Sequence, residues 1–129
     1  MTEKKQKILM IEEDRFLRKI YKNKLSKENF EFIEATNGEE GLNKVISEKP
    51  DIVLLDLILA RKSGFDVLMD IKRNKKTKKI PVIILSNLGQ ESDIEKAYSL
   101  GAKEYLIKTE ISLFDVVEKI KEWAVKIKT

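Results

Sequence analysis

The sequence predicts an α/β protein, a three-layer sandwich in which a five-stranded parallel sheet of order 2-1-3-4-5 is doubly wound by helices on both faces. Three observations carry that prediction. Five short apolar runs alternate with segments of helical period, and four of the five are apolar at nearly every position, as strands covered on both faces must be. The helical segments open on capping residues and close on Pro or Gly. Parallel strands need right-handed crossovers, and a closed barrel would take eight units.

The first run, residues 8–11, leads through Glu12, Glu13 and Asp14 into a helix beginning near Arg15. Asp14 is the expected N-cap, and Phe16, Leu17, Ile20, Tyr21 and Leu25 form the apolar stripe. The second run, 30–35, is the exception: Phe30, Phe32 and Ala35 alternate with Glu31 and Glu34, which places it at a sheet edge. Its helix is expected to open at Thr36 with Glu39 and to close at Lys49-Pro50. Runs at 52–55, 82–85 and 105–107 follow. Their helices open at Ser63 with Asp66, Ser92 with Glu95, and Ser112 with Asp115, and the fourth closes at Gly101. The last helix carries Leu113, Val116, Val117, Ile120, Ala124 and Ile127 on one stripe, with Trp123 beside it as partial core.

At 129 residues the chain is expected to be one domain, 1–129, with no second module, so any output must pass through contact with another protein. It has no His and no Cys, which excludes imidazole catalysis, disulfides, thiolate nucleophiles and thiol-ligated metals. No apolar run exceeds four residues, too short for a membrane span or a signal-peptide core, so a cytoplasmic protein is expected. The net charge of +4 is local: six of the eight residues 72–79 are basic, with no interleaved aromatic for base stacking, and this reads as a solvated helix end and loop rather than a nucleic-acid surface.

In an open parallel sheet the functional crevice lies beyond the carboxyl ends of the strands, at the reversal of winding. Here the first, third, fourth and fifth runs end in Glu12-Glu13, Asp56, Ser86 and Lys108. The first and third strands are neighbours in the expected order, so Glu12, Glu13 and Asp56 should share a small site. Clustered carboxylates take up either a proton or a cation, and carboxylate oxygens suit Mg2+, which keeps room for phosphate oxygens. Lys108 and Ser86 can contact phosphoryl oxygens, and Asp56, alone on a central strand, is the expected acceptor. Neither GxxxxGK[ST] nor GxGxxG is present, which argues against nucleotide or flavin binding.

On these residues the chain, over 7–127, resembles a bacterial two-component response-regulator receiver domain of the stand-alone, chemotaxis-regulator type, with a flavodoxin-like fold. Ile8-Leu9-Met10-Ile11-Glu12-Glu13-Asp14 is similar to the acidic end of the family's first strand. Asp56 with Gly64 matches the phosphoacceptor strand and loop, Ser86 the hydroxyl position, and Tyr105 with Lys108 the switch aromatic and the lysine. The resemblance implies a phosphoacceptor signalling domain rather than an enzyme with an external substrate, taking its phosphoryl group from the phosphohistidine of a sensor histidine kinase or phosphotransfer protein. Mg2+ would be held by Glu12, Glu13, Asp56 and the backbone carbonyl of Ile58. Ser86 and Tyr105 would switch a surface of the fourth helix, fifth strand and fifth helix, on which Tyr98 lies, toward a downstream protein target.

Three positions depart from the family pattern. Glu13 stands where Asp is usual, Ala60 where Pro usually follows the phosphoacceptor, and Thr109 where Pro usually follows the lysine. The longer Glu13 is expected to weaken Mg2+ binding. Apolar Ile58 and Leu88, flanking the path of water, predict slow autodephosphorylation. Two function classes follow: a phosphorylatable receiver, favoured by Asp56, Ser86 and Lys108, and a receiver-fold module that binds partners constitutively, favoured by Glu13, Ala60 and Thr109.

Overall fold

The computed structural model describes residues 4–128. The chain runs β1(Lys7–Ile11), α1(Arg15–Lys27), β2(Glu31–Ala35), α2(Gly38–Glu48), β3(Ile52–Leu55), α3(Gly64–Arg73), β4(Val82–Ser86), α4(Glu91–Ser99), β5(Glu104–Ile107) and α5(Leu113–Lys126). All strand pairs are parallel, in the order β2-β1-β3-β4-β5. Alternation along the strands builds two cores. Ile8, Met10, Ile52, Leu54, Ile83 and Leu85 pack with α1 and α5, while Leu9, Ile11, Val53, Leu55, Val82 and Ile84 pack with α2, α3 and α4. Burial on both faces is the reason the central strands read as unbroken apolar runs. The alternating β2 lies at a sheet edge, as its pattern predicts, and β5 forms the other edge.

Ser63 and Ser112 cap α3 and α5 as expected, through hydrogen bonds from the Asp66 and Asp115 N–H groups. The other two marks are displaced. Asn37, not Thr36, caps α2 by accepting from Glu40 N–H, and the Glu40 carboxylate reaches back to the Thr36 N–H. Helix α4 begins at Glu91, ahead of Ser92, after Gln90, which makes no side-chain cap bond. Lys49 ends α2 in the left-handed region at φ 48°, and Gly101, at φ 106°, follows the end of α4. Trp123 is half-buried, and its indole N–H donates to Glu104 Oε2 at 3.0 Å.

The stripe of α1 is rotated from the expected one. Leu17, Tyr21 and Leu25 face the core, but Phe16 is 79% exposed and Ile20 is also exposed, while Arg18 is buried. On α5 the stripe holds except for Ile127, which is exposed at the C-cap. Residues 17, 21 and 25 recur every fourth position and define the buried line. Positions 16 and 20 sit one flank away, and Arg18 sits on the other, where the loop after β1 passes.

Candidate phosphoacceptor site

The site lies where β1, β3, β4 and β5 end. Ile11 pairs with Leu55 as the last register partners of β1 and β3, so the next residues, Glu12 and Asp56, emerge side by side. Ser86 pairs with Ile107 across β4 and β5, and the Lys108 N–H donates to the Ser86 carbonyl at 3.0 Å, which sets Lys108 at the same edge. Gly64 is required beneath Asp56. A Cβ there would lie 2.2 Å from the Asp56 carbonyl oxygen and 2.5 Å from Leu57 Cα, closer than any side chain tolerates.

Lys108 joins the two carboxylates. Its Nζ donates to Asp56 Oδ2 at 2.7 Å and lies 2.7 Å from Glu12 Oε1. Asp56 Oδ1 accepts from the Ile58 N–H at 3.2 Å, and Glu12 Oε2 accepts from the Asp14 N–H at 3.0 Å. Both acids are buried, Glu12 with 3% and Asp56 with 6% of its surface exposed. The Glu12–Lys108 contact is an ion pair without directed hydrogen-bond geometry, since Glu12 Oε1 is a buried oxygen with no hydrogen-bond partner among the described residues. Burial raises the Glu12 carboxyl above the usual range, more than its contacts with Lys108 and the Asp14 N–H lower it. For Lys108 burial works against the charge, but the hydrogen bond to Asp56 and then the contact with Glu12 outweigh it, so the ammonium titrates above an ordinary lysine.

Glu13 departs from the expected trio. It is exposed, and its Oε1 accepts a hydrogen bond from the Ala60 N–H in the loop between β3 and α3. Among the described residues no three acidic side chains converge closely enough to hold a metal ion as they stand. Of the three acids expected to share one small site, Glu12 and Asp56 meet on Lys108, and Glu13 is engaged by the neighbouring loop.

The remaining residues surround this pair. Ser86 is fully buried, and its Oγ accepts weakly from the Leu88 N–H at 3.4 Å. The half-buried Tyr105 donates its hydroxyl to the Leu88 carbonyl at 2.7 Å, so one residue after β4, Leu88, contacts both expected switch residues through its N–H and its carbonyl. Burial, and then Asp93 and Asp56, push the Tyr105 phenol up to about 12. Ile58 is 54% exposed and Leu88 half-buried, so the apolar cover on the Ile58 side is open to solvent.

Arg18 is the site residue that sequence reasoning missed. From α1 its guanidinium donates to the Glu12 carbonyl at 2.7 Å, to the Glu13 carbonyl at 2.9 Å and to Glu34 Oε1 at 2.7 Å. It thereby clamps the peptide that carries both acids. A signal was present in Glu34, a charge facing away from the solvated pattern of an edge strand, but pairing it with an arginine on α1 requires the register.

The strand ends of this doubly wound sheet thus present an aspartate hydrogen-bonded to a lysine, with a second acid and a buried serine beside them. The response regulator receiver domain matches residues 8–121, and the chain belongs to that family. It is 34% identical over 106 residues to the probable transcriptional regulator ycf27 of Guillardia theta, covering 82% of this chain and 41% of that protein. Chemotaxis protein CheY4 of Vibrio cholerae shares the fold with a TM-score of 0.84 at 18% identity, over 92% of this chain and 98% of the other. The Mn(2+)-bound form of response regulator Rcp1 gives a TM-score of 0.78 at 28% identity, over 91% and 90%. The chain thus spans about two-fifths of the length of its ycf27 relative. No helix among the described residues is long and apolar enough to cross a membrane.

Proposed function

We propose that Asp56 accepts a phosphoryl group from the phosphohistidine of a sensor kinase or phosphotransfer protein. The observation that supports this most is the Asp56 carboxylate held 2.7 Å from the Lys108 ammonium beside a second buried acid. In the transfer an Asp56 oxygen bonds to phosphorus as the phosphorus–nitrogen bond of the donor breaks, and the imidazole leaves with the bonding pair and takes up a proton. Lys108, already oriented, pairs with an equatorial phosphoryl oxygen, and Ser86 can donate its hydroxyl to another.

The donors present suit a hard divalent ion: they are oxygens, and one of them, Glu12 Oε1, is buried without a hydrogen bond. Glu12, Asp56, the Ile58 carbonyl and, once released from Ala60, Glu13 are the residues that would hold Mg2+. When bound it would supply charge neutralisation between the carboxylate and the incoming phosphoryl oxygens. Asp56 would then carry an acyl phosphate, and Lys108 and Ser86 would exchange their present partners for its oxygens. Because Leu88 bridges Ser86 and Tyr105, movement of Ser86 reaches Tyr105 and the α4–β5–α5 surface where Tyr98 is exposed, the proposed contact for a downstream protein.

Incubation with a small acyl-phosphate donor and Mg2+, followed by intact mass, tests the reading. One phosphoryl group should be added in the wild type and none in Asp56→Ala or without Mg2+. A wild type that gains nothing, with gain restored by Glu13→Asp, would instead support the constitutive binding module, which the Glu13–Ala60 contact favours.

A further inference from the structure

The contact between Glu13 and Ala60 needs the length of a glutamate at 13 and a backbone N–H at 60. The Glu13 carboxylate crosses from the loop after β1 to accept from the Ala60 N–H. An aspartate is one methylene shorter, and a proline at 60 has no N–H to donate. The Ala60 peptide is also held in place, since its carbonyl accepts from the Gly38 N–H at 3.2 Å and the Lys62 N–H at 2.8 Å. On the other side Arg18 fixes the Glu13 backbone carbonyl at 2.9 Å. With both backbones anchored, the exposed Glu13 side chain is the part free to move.

We propose that Ala60 sets the divalent-cation affinity of this site, its N–H competing with Mg2+ for the Glu13 carboxylate. The inference rests on the receiver reading. Glu12 and Asp56 stand together, no third acid among the described residues joins them, and the third acid available in sequence is hydrogen-bonded to the loop. Metal binding and loop release are then one equilibrium: Glu13 joins the metal only by leaving Ala60, and the loop following Asp56 loses a tether as it does. A carboxylate–amide hydrogen bond is strong among hydrogen bonds but here faces solvent, so the competition weakens Mg2+ binding by about three- to tenfold.

Calorimetric titration of the full chain with Mg2+ alone, together with amide resonances of the 15N-labelled protein, tests this. Ala60→Pro should bind Mg2+ about three- to tenfold more tightly than the wild type. In a Glu13→Asp background, where the side chain does not reach the donor, adding Ala60→Pro should change the affinity little. In the wild type the Ala60 amide resonance should shift with the same midpoint as the calorimetric isotherm, a readout independent of how the proline variant folds. Equal affinity in wild type and Ala60→Pro, an equal gain in both backgrounds, or an Ala60 amide that stays fixed as Mg2+ saturates the protein would overturn the inference. If neither wild type nor Glu13→Asp binds Mg2+, the receiver reading itself fails and this inference with it.

Discussion

Glu12 and Glu13 are the same residue type, adjacent in sequence, and the fold gives them opposite environments. Glu12 is buried on the ammonium of Lys108 beside Asp56, its carboxyl raised by desolvation. Glu13 is exposed and tied to a loop by a hydrogen bond to its side chain. The difference arises because successive residues leaving a strand point to opposite sides: Glu12 continues along β1 into the edge between β1 and β3, and Glu13 turns toward the β3–α3 loop. A carboxylate inside needs a counter-charge that is always present. One outside can exchange partners, which is what a site that alternates between metal-free and metal-bound forms requires.

Removing the counter-charge should break this contrast most severely. Lys108→Ala leaves Glu12 and Asp56 buried together without a cation, and we expect a loss of about 3 kcal/mol at pH 7 by urea denaturation. Raised further in the folded state, the Glu12 carboxyl favours the protein when protonated, and that contribution disappears as pH rises through its folded value. The deficit should therefore shrink toward pH 4.5, and one independent of pH would contradict the account. Next comes Gly64→Ala, whose Cβ meets the Asp56 backbone. Displacing Asp56 from Lys108 should cost about 2 kcal/mol and slow phosphorylation by acyl phosphate.

Arg18→Met sharpens the comparison, because it frees the peptide shared by both acids while leaving their side chains intact. We expect a loss of about 1–2 kcal/mol in thermal or urea unfolding, together with weaker Mg2+ binding in calorimetry. Unchanged metal affinity would mean that the acids hold themselves in place. The smallest effect belongs to Tyr105→Phe, which removes the hydroxyl bond to Leu88 and should cost about 1 kcal/mol near neutrality. The wild-type phenol is protonated in the fold up to about pH 12, so its contribution is fully present below about pH 10 and lost as pH rises between those values. The phenylalanine variant should lack that part of the alkaline decline.

Much of this was legible from residue pattern. The strand ends that carry Glu12, Asp56, Ser86 and Lys108 follow from unbroken apolar runs followed by a polar residue, and the strand order then puts Glu12 beside Asp56. Three features were not legible in the same way. The direction of Glu13 depends on a reach of one methylene to a backbone donor in another loop, which no periodicity encodes. Arg18 reads as a solvated residue because its burial is made tolerable only by Glu34 and two carbonyls from other elements. The cap of α2 falls one position later than Thr36 because Asn37 offers an equally good side-chain acceptor, and α4 starts after Gln90, two positions before Ser92, without a side-chain cap bond to mark it.

The central claim is that Asp56, and neither adjacent acid, is the acceptor. Borohydride reduction of the protein after treatment with acyl phosphate and Mg2+ converts an aspartyl phosphate to homoserine, and peptide mapping then locates it. We predict homoserine at position 56 and unmodified Glu12 and Glu13. Reduction at Glu12 or Glu13 in place of Asp56, or a phosphoryl group retained on Ser86, would contradict the account.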